Sequence, residues 1–215
     1  MSRPMYEAAR AYTGAGLSVV PVRLVDKLPW AALLPKNSAG RRVWAPFQAH
    51  IPNDGRLRNW FLHRDACMAL VCGRVSGGLE LIDFDHHPPD QPQVYDAWAS
   101  LVESQAPGLV ARLVVAGTQH DGRHVIYRCP EIAGNQKLAQ YPTANPTTGR
   151  PQRGTLIETR GEGGYALVTP SPGYQVLQGS LTGIPTITVA ERELLFAAAR
   201  AFNTPVASEA AAPPR

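Results

Sequence analysis

LELIDFDHH, the stretch from Leu79 to His87, is a short apolar run that ends in two aspartates. Its apolar residues indicate a buried strand that runs directly into Asp83 and Asp85. Side chains at i and i+2 of a strand share a face, so these two carboxylates would lie roughly 6–7 Å apart on one side. Carboxylates at that spacing can share a divalent cation or bridge two ions. The stretch predicts a metal site, although an aspartate pair at a strand end is also typical of a simple turn.

The composition is that of an ordinary globular chain with a mildly basic balance. The 215 residues are 44% hydrophobic and 18% charged, and the formal net charge is +4. This length allows one large domain or two small lobes. We expect a catalytic domain over 1–202, as one body or as two interleaved lobes, followed by a low-complexity tail or linker over 203–215. A net positive charge suits a polyanionic partner without requiring one.

Cysteine usage and hydropathy exclude several classes of protein. The three cysteines, Cys67, Cys72 and Cys129, form no CxxC pair and no zinc-type cluster with histidine. We therefore expect neither a disulfide framework nor a zinc site. The N-terminal residues lack the apolar core of a signal peptide, and no run approaches about 18 apolar residues. These features predict a cytoplasmic protein with no membrane partner.

Periodicity and turn residues predict alternating helices and strands. Amphipathic spacing predicts helices over 6–15, 93–105 and 190–202. Apolar runs predict strands over 17–24, 67–73, 79–85, 109–116, 124–128, 155–158 and 165–169, the first of them at a sheet edge or bulge because of Pro21. Glycines at 77 and 78 favour a hairpin between the strands at 67–73 and 79–85. The polar stretch 135–154 is interpreted as a mobile insertion.

Basic residues upstream of the aspartates leave two interpretations open. Residues 26–40 form a loop that carries Lys27, and this loop is either solvated or a basic lip over a phosphate or a template. The segment 41–44, RRVW, begins a mixed basic and aromatic region that could stack bases and hold phosphates. Trp60 and Phe61 are better explained as the apolar face of a helix.

Three strand-associated motifs follow one another along the chain. They are DFD at 83–85, GRH at 122–124 and LIETRGEGGY at 156–165. In this order and spacing, the chain resembles the primase-polymerase (prim-pol) family of the archaeo-eukaryotic primase superfamily over roughly 8–171. The resemblance implies an α+β fold. It consists of an archaeo-eukaryotic primase-like catalytic core, whose RNA-recognition-like antiparallel sheet carries the acids, and a smaller N-terminal αβ unit.

The resemblance also implies roles for individual residues. Asp83, Asp85 and Glu158 would ligate two catalytic Mg²⁺ or Mn²⁺ ions, and His124 would be a catalytic residue that contacts the triphosphate. A further set would bind the nucleotide: Gly122, Arg123, His124, Arg160 and Lys27. Taken alone, His124 is better explained as a structural histidine, and Glu158 as a surface acid at a strand end that is paired with Arg160. The concurrence of the three motifs favours the functional roles. The proposed chemistry is sound because Mg²⁺ prefers carboxylate and phosphate oxygens.

One loop departs from the family pattern. Where the family often has Ser-Gly-Gly before x-His, this chain has His120, Asp121 and Gly122. Asp121 would place a carboxylate near the triphosphate and repel it, unless a metal ion or Arg123 screens the charge. We therefore expect Asp121 to weaken nucleotide binding if its carboxylate lies beside the triphosphate.

The activity that the resemblance implies is that of a template-dependent DNA primase/polymerase. This nucleotidyltransferase would move nucleotides from nucleoside triphosphates to a 3′-hydroxyl on single-stranded DNA by a two-metal mechanism. The implied setting is plasmid, phage or mobile-element replication, or repair, and relatives that carry helicase domains suggest a helicase domain or protein as a partner. Two alternatives stay open: a haloacid dehalogenase-like phosphatase, which also has a DxD motif, and a degenerate module that binds nucleic acid or nucleotide.

Overall fold

The computed structural model of the protein describes residues 3–86, 93–145 and 147–204. From residue 205 onward the predicted tail lies outside the described residues. The division into a domain over 1–202 and a tail over 203–215 therefore stays a prediction. Within the described ranges, no helix combines the length and the apolar character needed to cross a membrane.

Helices and strands are mixed along the chain. The described residues contain five α-helices: α1 Arg3–Gly14, α2 Asp54–Leu57, α3 Tyr95–Gln105, α4 Leu109–Arg112 and α5 Val189–Arg200. They also contain nine strands: β1 Ser18–Val22, β2 Cys67–Val71, β3 Leu79–Phe84, β4 Val114–Gly117, β5 Arg123–Arg128, β6 Lys137–Ala144, β7 Pro151–Arg160, β8 Tyr165–Leu167 and β9 Gln175–Gln178. The strands form two antiparallel sheets. The predicted α+β class is confirmed.

The larger sheet has six strands in the order β6-β7-β3-β5-β4-β9. Helices α3 and α5 cover one of its faces, where Ile82 and Phe84 of β3 share a core with Trp98 and Phe196. The indole of Trp98 is fully buried and donates its N–H to the carbonyl of Leu195 at 3.1 Å. This hydrogen bond holds α3 against α5 over the sheet.

The smaller sheet has three strands in the order β1-β2-β8 and packs with α1 and α2. β1 lies at the edge of this sheet, so the edge position predicted from Pro21 is confirmed. After α2 the chain continues in a π-helical turn, Arg58–Leu62. Trp60 and Phe61 in this turn are fully buried, as predicted for core residues.

Strand β3 lies between the two cores and alternates between them. Leu79 and Leu81 belong to the core on the side of the smaller sheet, whereas Ile82 and Phe84 belong to the core under the helices. By the same alternation, Asp83 follows Leu81 on the side of the smaller sheet. There the apolar core gives way to a cavity. One strand therefore supplies both apolar layers and the carboxylate that follows them.

The predicted hairpin between β2 and β3 is reduced to one antiparallel bridge between Gly73 and Leu79, because the two strands belong to different sheets. Between them Gly73, Gly77 and Gly78 all have positive φ angles, which redirect the chain. A Cβ on Gly78 would lie 2.3 Å from the carbonyl oxygen of Cys129. Gly78 also accepts the N–H of Cys129 at 2.9 Å, so beyond this bridge β3 follows the end of β5 rather than β2.

The strand predicted over 109–116 is correct only in its second half, β4. Its first half is the short helix α4, which follows Gly108 at a φ of 80°. The carboxylate of Glu103 accepts the N–H groups of Gly108 at 2.7 Å and of Val110 at 3.0 Å. These two bonds satisfy donors at the start of a helix, a local effect that the apolar pattern did not indicate.

The mobile insertion predicted over 135–154 is also wrong. Most of this stretch forms the antiparallel pair of β6 and β7. β6 is an edge strand, and most of its residues are at least partly exposed. Its low hydrophobicity therefore reflects exposure at the sheet edge rather than an absence of regular structure.

Candidate active site

Three neighbouring strands place two acids and a histidine in one row. The register pairs Asp83 of β3 with His124 of β5 on one side and with Glu158 of β7 on the other. Opposed residues of antiparallel strands point to the same face, with Cβ atoms about 4.5–5.5 Å apart. Asp85 follows two residues later, and its N–H continues the ladder to the carbonyl of Leu156 at 3.1 Å. Sheet register thus brings together residues that are far apart in sequence.

This row adjoins a cavity of about 250 Å³ bounded by both sheets. We call it the acidic cavity. Among the residues predicted from sequence, those that line it are Asp83, Asp85, His124, Arg160 and Lys27. Glu158 contacts the cavity indirectly, through its ion pair with Arg160.

His124 is 4% exposed and is fixed by Asp83. Its Nε2 lies 3.3 Å from Oδ1 of Asp83, while Nδ1 has no hydrogen-bond partner within the described residues. The imidazole also packs near the ring of Tyr174, with ring centroids 6.0 Å apart. A buried ring nitrogen without a partner carries a desolvation cost, so a ligand that supplies the missing hydrogen bond is favoured there.

Two cations oppose the acids. Arg160 forms an ion pair with Glu158, and its Nη2 lies 3.8 Å from Oδ2 of Asp83. Lys27 has a φ of 58°, and its carbonyl accepts the hydroxyl of Tyr165 at 3.1 Å. This hydrogen bond ties the Lys27 loop to β8 beside the acids.

The carboxylates are more crowded than these cations can offset. Burial, followed by the carboxylates of Asp83 and Glu158, raises the pKa of Asp85 to about 7. Burial also acts to raise the pKa of Asp83, but His124 and Arg160 outweigh it and hold that pKa below its usual value. Burial raises the pKa of Glu158 against the opposing charge of Arg160. Near neutral pH the carboxyl group of Asp85 is therefore only partly ionised, and a bound cation would favour its ionised form.

Metal donors are present, but they are not arranged as a complete ligand set. In the three described ranges, no group of three or more His, Cys, Asp and Glu side chains is arranged to hold a metal ion. Asp83 and Asp85 offer two carboxylates on one face, and Mg²⁺ is commonly held by one or two carboxylates together with substrate phosphates. Glu158 is engaged by Arg160, so a third carboxylate ligand requires that ion pair to open. The donors fit Mg²⁺ or Mn²⁺ bound jointly by the protein and a phosphate ligand.

The loop before β5 separates two of the predicted residues from the acidic cavity. Gly122 is tightly packed, since a Cβ there would lie 2.5 Å from Oγ1 of Thr118 and 2.7 Å from the carbonyl oxygen of Phe84. Arg123 pairs in register with Phe84, and its guanidinium donates to the carbonyls of Asp121 and Gly122 at 2.9 Å each. Asp121 and Arg123 line a second cavity instead. The repulsion expected from Asp121 is therefore not located at the acidic cavity.

Other residues around the acidic cavity were not indicated by any sequence pattern. Tyr174 is the clearest, because burial and the nearby Asp83 carboxylate raise its pKa to about 12. It precedes β9, a short strand that the sequence pattern did not predict. Further lining residues are His86, Thr118, Gln119, His120 and Asn135.

A family model provides the link to known proteins. The model described as bifunctional DNA primase/polymerase, N-terminal, matches residues 9–189. The matched range includes both sheets and every residue that lines the acidic cavity. A search of curated proteins found no match.

Proposed function

This chain belongs to the bifunctional DNA primase/polymerase family, and we propose that it is a template-dependent primase/polymerase that acts on single-stranded DNA. It would transfer nucleotides from nucleoside triphosphates to a 3′-hydroxyl. One observation carries the proposal: Asp83 and Asp85 share a face at the end of β3, and the pKa of Asp85 is raised to about 7 by burial and neighbouring carboxylates. Acids crowded in this way favour binding of a divalent cation.

In this proposal the acids hold the metal. Asp83 and Asp85 would be the primary ligands of Mg²⁺ or Mn²⁺. Glu158 would join them if its ion pair with Arg160 opened, which would leave Arg160 available to a phosphate. The bound ions would supply charge neutralisation at the phosphates and activation of the attacking hydroxyl. The ion pair of Arg160 with Glu158 supports this assignment, because it places one further cation and one further acid beside Asp83 and Asp85.

The basic groups of the cavity hold the triphosphate. His124 is held by Asp83 through Nε2, which leaves Nδ1 as a second polar atom for a ligand. Lys27 lies exposed at the rim of the cavity, where its charge favours the ionised forms of Asp83 and Asp85 and opposes the effect of burial on their pKa values. Gly122 and Arg123 act on the nucleotide through the shape of the loop before β5, because the Arg123 guanidinium binds the carbonyls within that loop.

The two alternatives differ in how much support they have. Nothing in the family match supports a haloacid dehalogenase-like phosphatase. A degenerate module that binds nucleic acid or nucleotide would retain the cavity and the cations but lack transfer activity. A helicase partner and a role in plasmid or phage replication stay predictions.

A primer-extension assay tests the proposal. Purified protein is incubated with Mn²⁺ or Mg²⁺, a primed single-stranded template and labelled nucleotides, and we expect extended products. Asp83→Asn and Asp85→Asn should each lower extension by at least about a thousandfold, because each removes a charge that holds the metal. Asp65→Asn is the matched control, since Asp65 is exposed and belongs to neither sheet.

The outcomes separate the candidate functions. Template binding without extension by the wild-type protein would identify the degenerate module. Release of phosphate from a simple ester, without extension, would identify a hydrolase. Equal extension by Asp65→Asn and by the β3 variants would remove the acidic cavity from the mechanism.

A further inference from the structure

A hairpin upstream of the acidic cavity carries three exposed cations. Residues 35–43 fold back on themselves through hydrogen bonds from Val43 N–H to the Pro35 carbonyl and from Asn37 N–H to the Arg41 carbonyl, both 2.9 Å. The Asn37 side chain closes the turn by accepting the N–H of Arg41 at 2.9 Å. We call residues 35–43 the basic hairpin. Its exposed cations are Lys36, Arg41 and Arg42.

The basic hairpin lies in a stretch of sequence that has no acidic residue. The stretch 27–53 contains four Lys and Arg residues and no Asp or Glu. Within the described ranges, none of the three hairpin cations forms an ion pair, and Arg42 donates instead to the carbonyl of Leu34 at 2.8 Å. Surface cations that the protein does not neutralise itself attract a polyanion.

The basic hairpin is joined to the wall of the acidic cavity. Trp44, the residue after the hairpin, packs edge-on against Tyr165 with ring centroids 5.3 Å apart. Gln48 donates to the carbonyl of Gly163 at 3.5 Å. Both Gly163 and Tyr165 line the acidic cavity. Arg42 lies two residues before Trp44, a distance of about 7 Å in extended chain. A nucleic acid strand that leaves the cavity on this side would therefore pass the basic hairpin.

Apolar side chains at the cavity mouth suit unpaired bases. Leu28 lines the acidic cavity and is 52% exposed, and Val25 in the same loop is 90% exposed. The bases of a single-stranded nucleic acid expose apolar faces. In a duplex these faces are stacked inside, and an acidic protein does not have them. The combination of cations and exposed apolar side chains therefore favours a single-stranded nucleic acid.

We propose that the basic hairpin binds the phosphate backbone of single-stranded DNA through Lys36, Arg41 and Arg42. Identification of this strand as the template rests on the proposed polymerase function. The binding of the strand does not, since it depends only on the charge and exposure of the hairpin.

Binding of a labelled single-stranded DNA oligonucleotide, measured by fluorescence anisotropy over a salt series, tests this site. The test variant is Lys36→Ala/Arg41→Ala/Arg42→Ala. The control, Arg112→Ala/Arg150→Ala/Arg200→Ala, removes the same charge from exposed arginines elsewhere. We expect the test variant to bind about tenfold more weakly at low salt, with a salt slope shallower by about 2 for three lost phosphate contacts. The control should stay within about twofold of the wild-type protein.

Four results bear on the inference, with folding of each variant checked by thermal unfolding. Equal losses in the test and control variants would show that only net charge matters. Displacement of the oligonucleotide by poly-glutamate of equal charge would show a surface that does not select nucleic acid. If the wild-type protein extends no primer but the test variant still loses DNA binding, the binding surface is upheld and the proposed polymerase function is rejected. Normal extension and DNA binding by the test variant would reject the hairpin site alone.

Discussion

The two faces of β3 bury carboxylates in different ways. On the helix side, Glu80 is fully buried and accepts three hydrogen bonds, from Arg192 Nε at 2.6 Å, from Arg192 Nη2 at 2.9 Å and from the Tyr127 hydroxyl at 2.8 Å. On the side of the smaller sheet, Asp83 and Asp85 face a cavity. There burial, followed by the neighbouring carboxylates of Asp83 and Glu158, raises the pKa of Asp85 to about 7.

The comparison distinguishes a structural acid from an acid available for binding. The protein's own donors satisfy Glu80, and the guanidinium of Arg192 also lies over the ring of Phe196, 4.2 Å from its centroid. Glu80 therefore has a structural role, which is to attach α5 to the sheet. The acids of the cavity lie close to one another, and the pKa values of Asp85 and Glu158 are raised. Perturbed acids beside a cavity are typical of functional sites.

The largest expected effect is on the structural face. Glu80→Ala should lower the free energy of unfolding by about 3–5 kcal/mol, because it leaves the buried charge of Arg192 without its partner. Urea unfolding at neutral pH measures the change. Glu80→Leu/Arg192→Met should recover most of the loss, because it removes both charges. A loss below about 1 kcal/mol in Glu80→Ala would show that solvent reaches this pair and would break the contrast between the faces.

On the cavity side, removal of the Asp85 charge should raise the free energy of unfolding rather than lower it. The pKa of Asp85 is raised from 3.8 to about 7, so the folded state holds this proton more tightly than the unfolded state does. Stability is therefore lost as pH rises through this range, and the full penalty is present above about pH 7. At about pH 8 without divalent metal, Asp85→Asn should be more stable than the wild-type protein by on the order of 1–3 kcal/mol. The difference should vanish near pH 4.

Asp83→Asn is the matched control for that experiment. The pKa of Asp83 is held low by His124 and Arg160 despite burial, so its charge contributes stability at neutral pH that is lost as pH falls. We expect this variant to be less stable than the wild-type protein at about pH 8. Urea unfolding of both variants, with and without Mn²⁺, completes the test, and equal signs for the two substitutions would contradict the assigned charges.

The smallest effect expected concerns two cations on opposite faces. Lys27 lines the acidic cavity, whereas Arg123 pairs in register with Phe84 on the helix side. Lys27→Ala should raise the KM for the incoming nucleotide about tenfold, as for loss of one charged hydrogen bond. Arg123→Ala should change it by less than about threefold. Steady-state extension kinetics measure both, and a larger effect of Arg123→Ala would place the triphosphate nearer to the second cavity.

Much of the fold could be predicted from patterns within single elements. The helices α3 and α5 and the strand that carries Asp83 follow from amphipathic spacing and alternation, because burial on one face dictates the residue types there. The alternation of β3 also puts Asp83 and Asp85 on one face without any knowledge of the neighbouring strands. Contacts within an element are thus available from the sequence.

Contacts between different helices and strands were harder to predict from the sequence. The glycines between β2 and β3 permit a hairpin or a crossing to another sheet, and contact with the carbonyl of Cys129, far along the chain, decides between them. The helix α4 depends on capping by Glu103, and the side of the sheet that Arg123 occupies depends on its register with Phe84. Tyr174 reaches the cavity by tertiary packing alone, so no local pattern marked it.

The row of Asp83, His124 and Glu158 makes the acidic cavity vulnerable to a particular kind of genetic change. Insertion of one residue into β3 ahead of Asp83 would turn both aspartates toward Trp98 and bring Phe84 to the cavity. Such an insertion would ruin the core under the helices together with the cavity. A substitution of the acids would thus leave the apolar core under the helices in place, whereas a length change in β3 would disrupt that core as well.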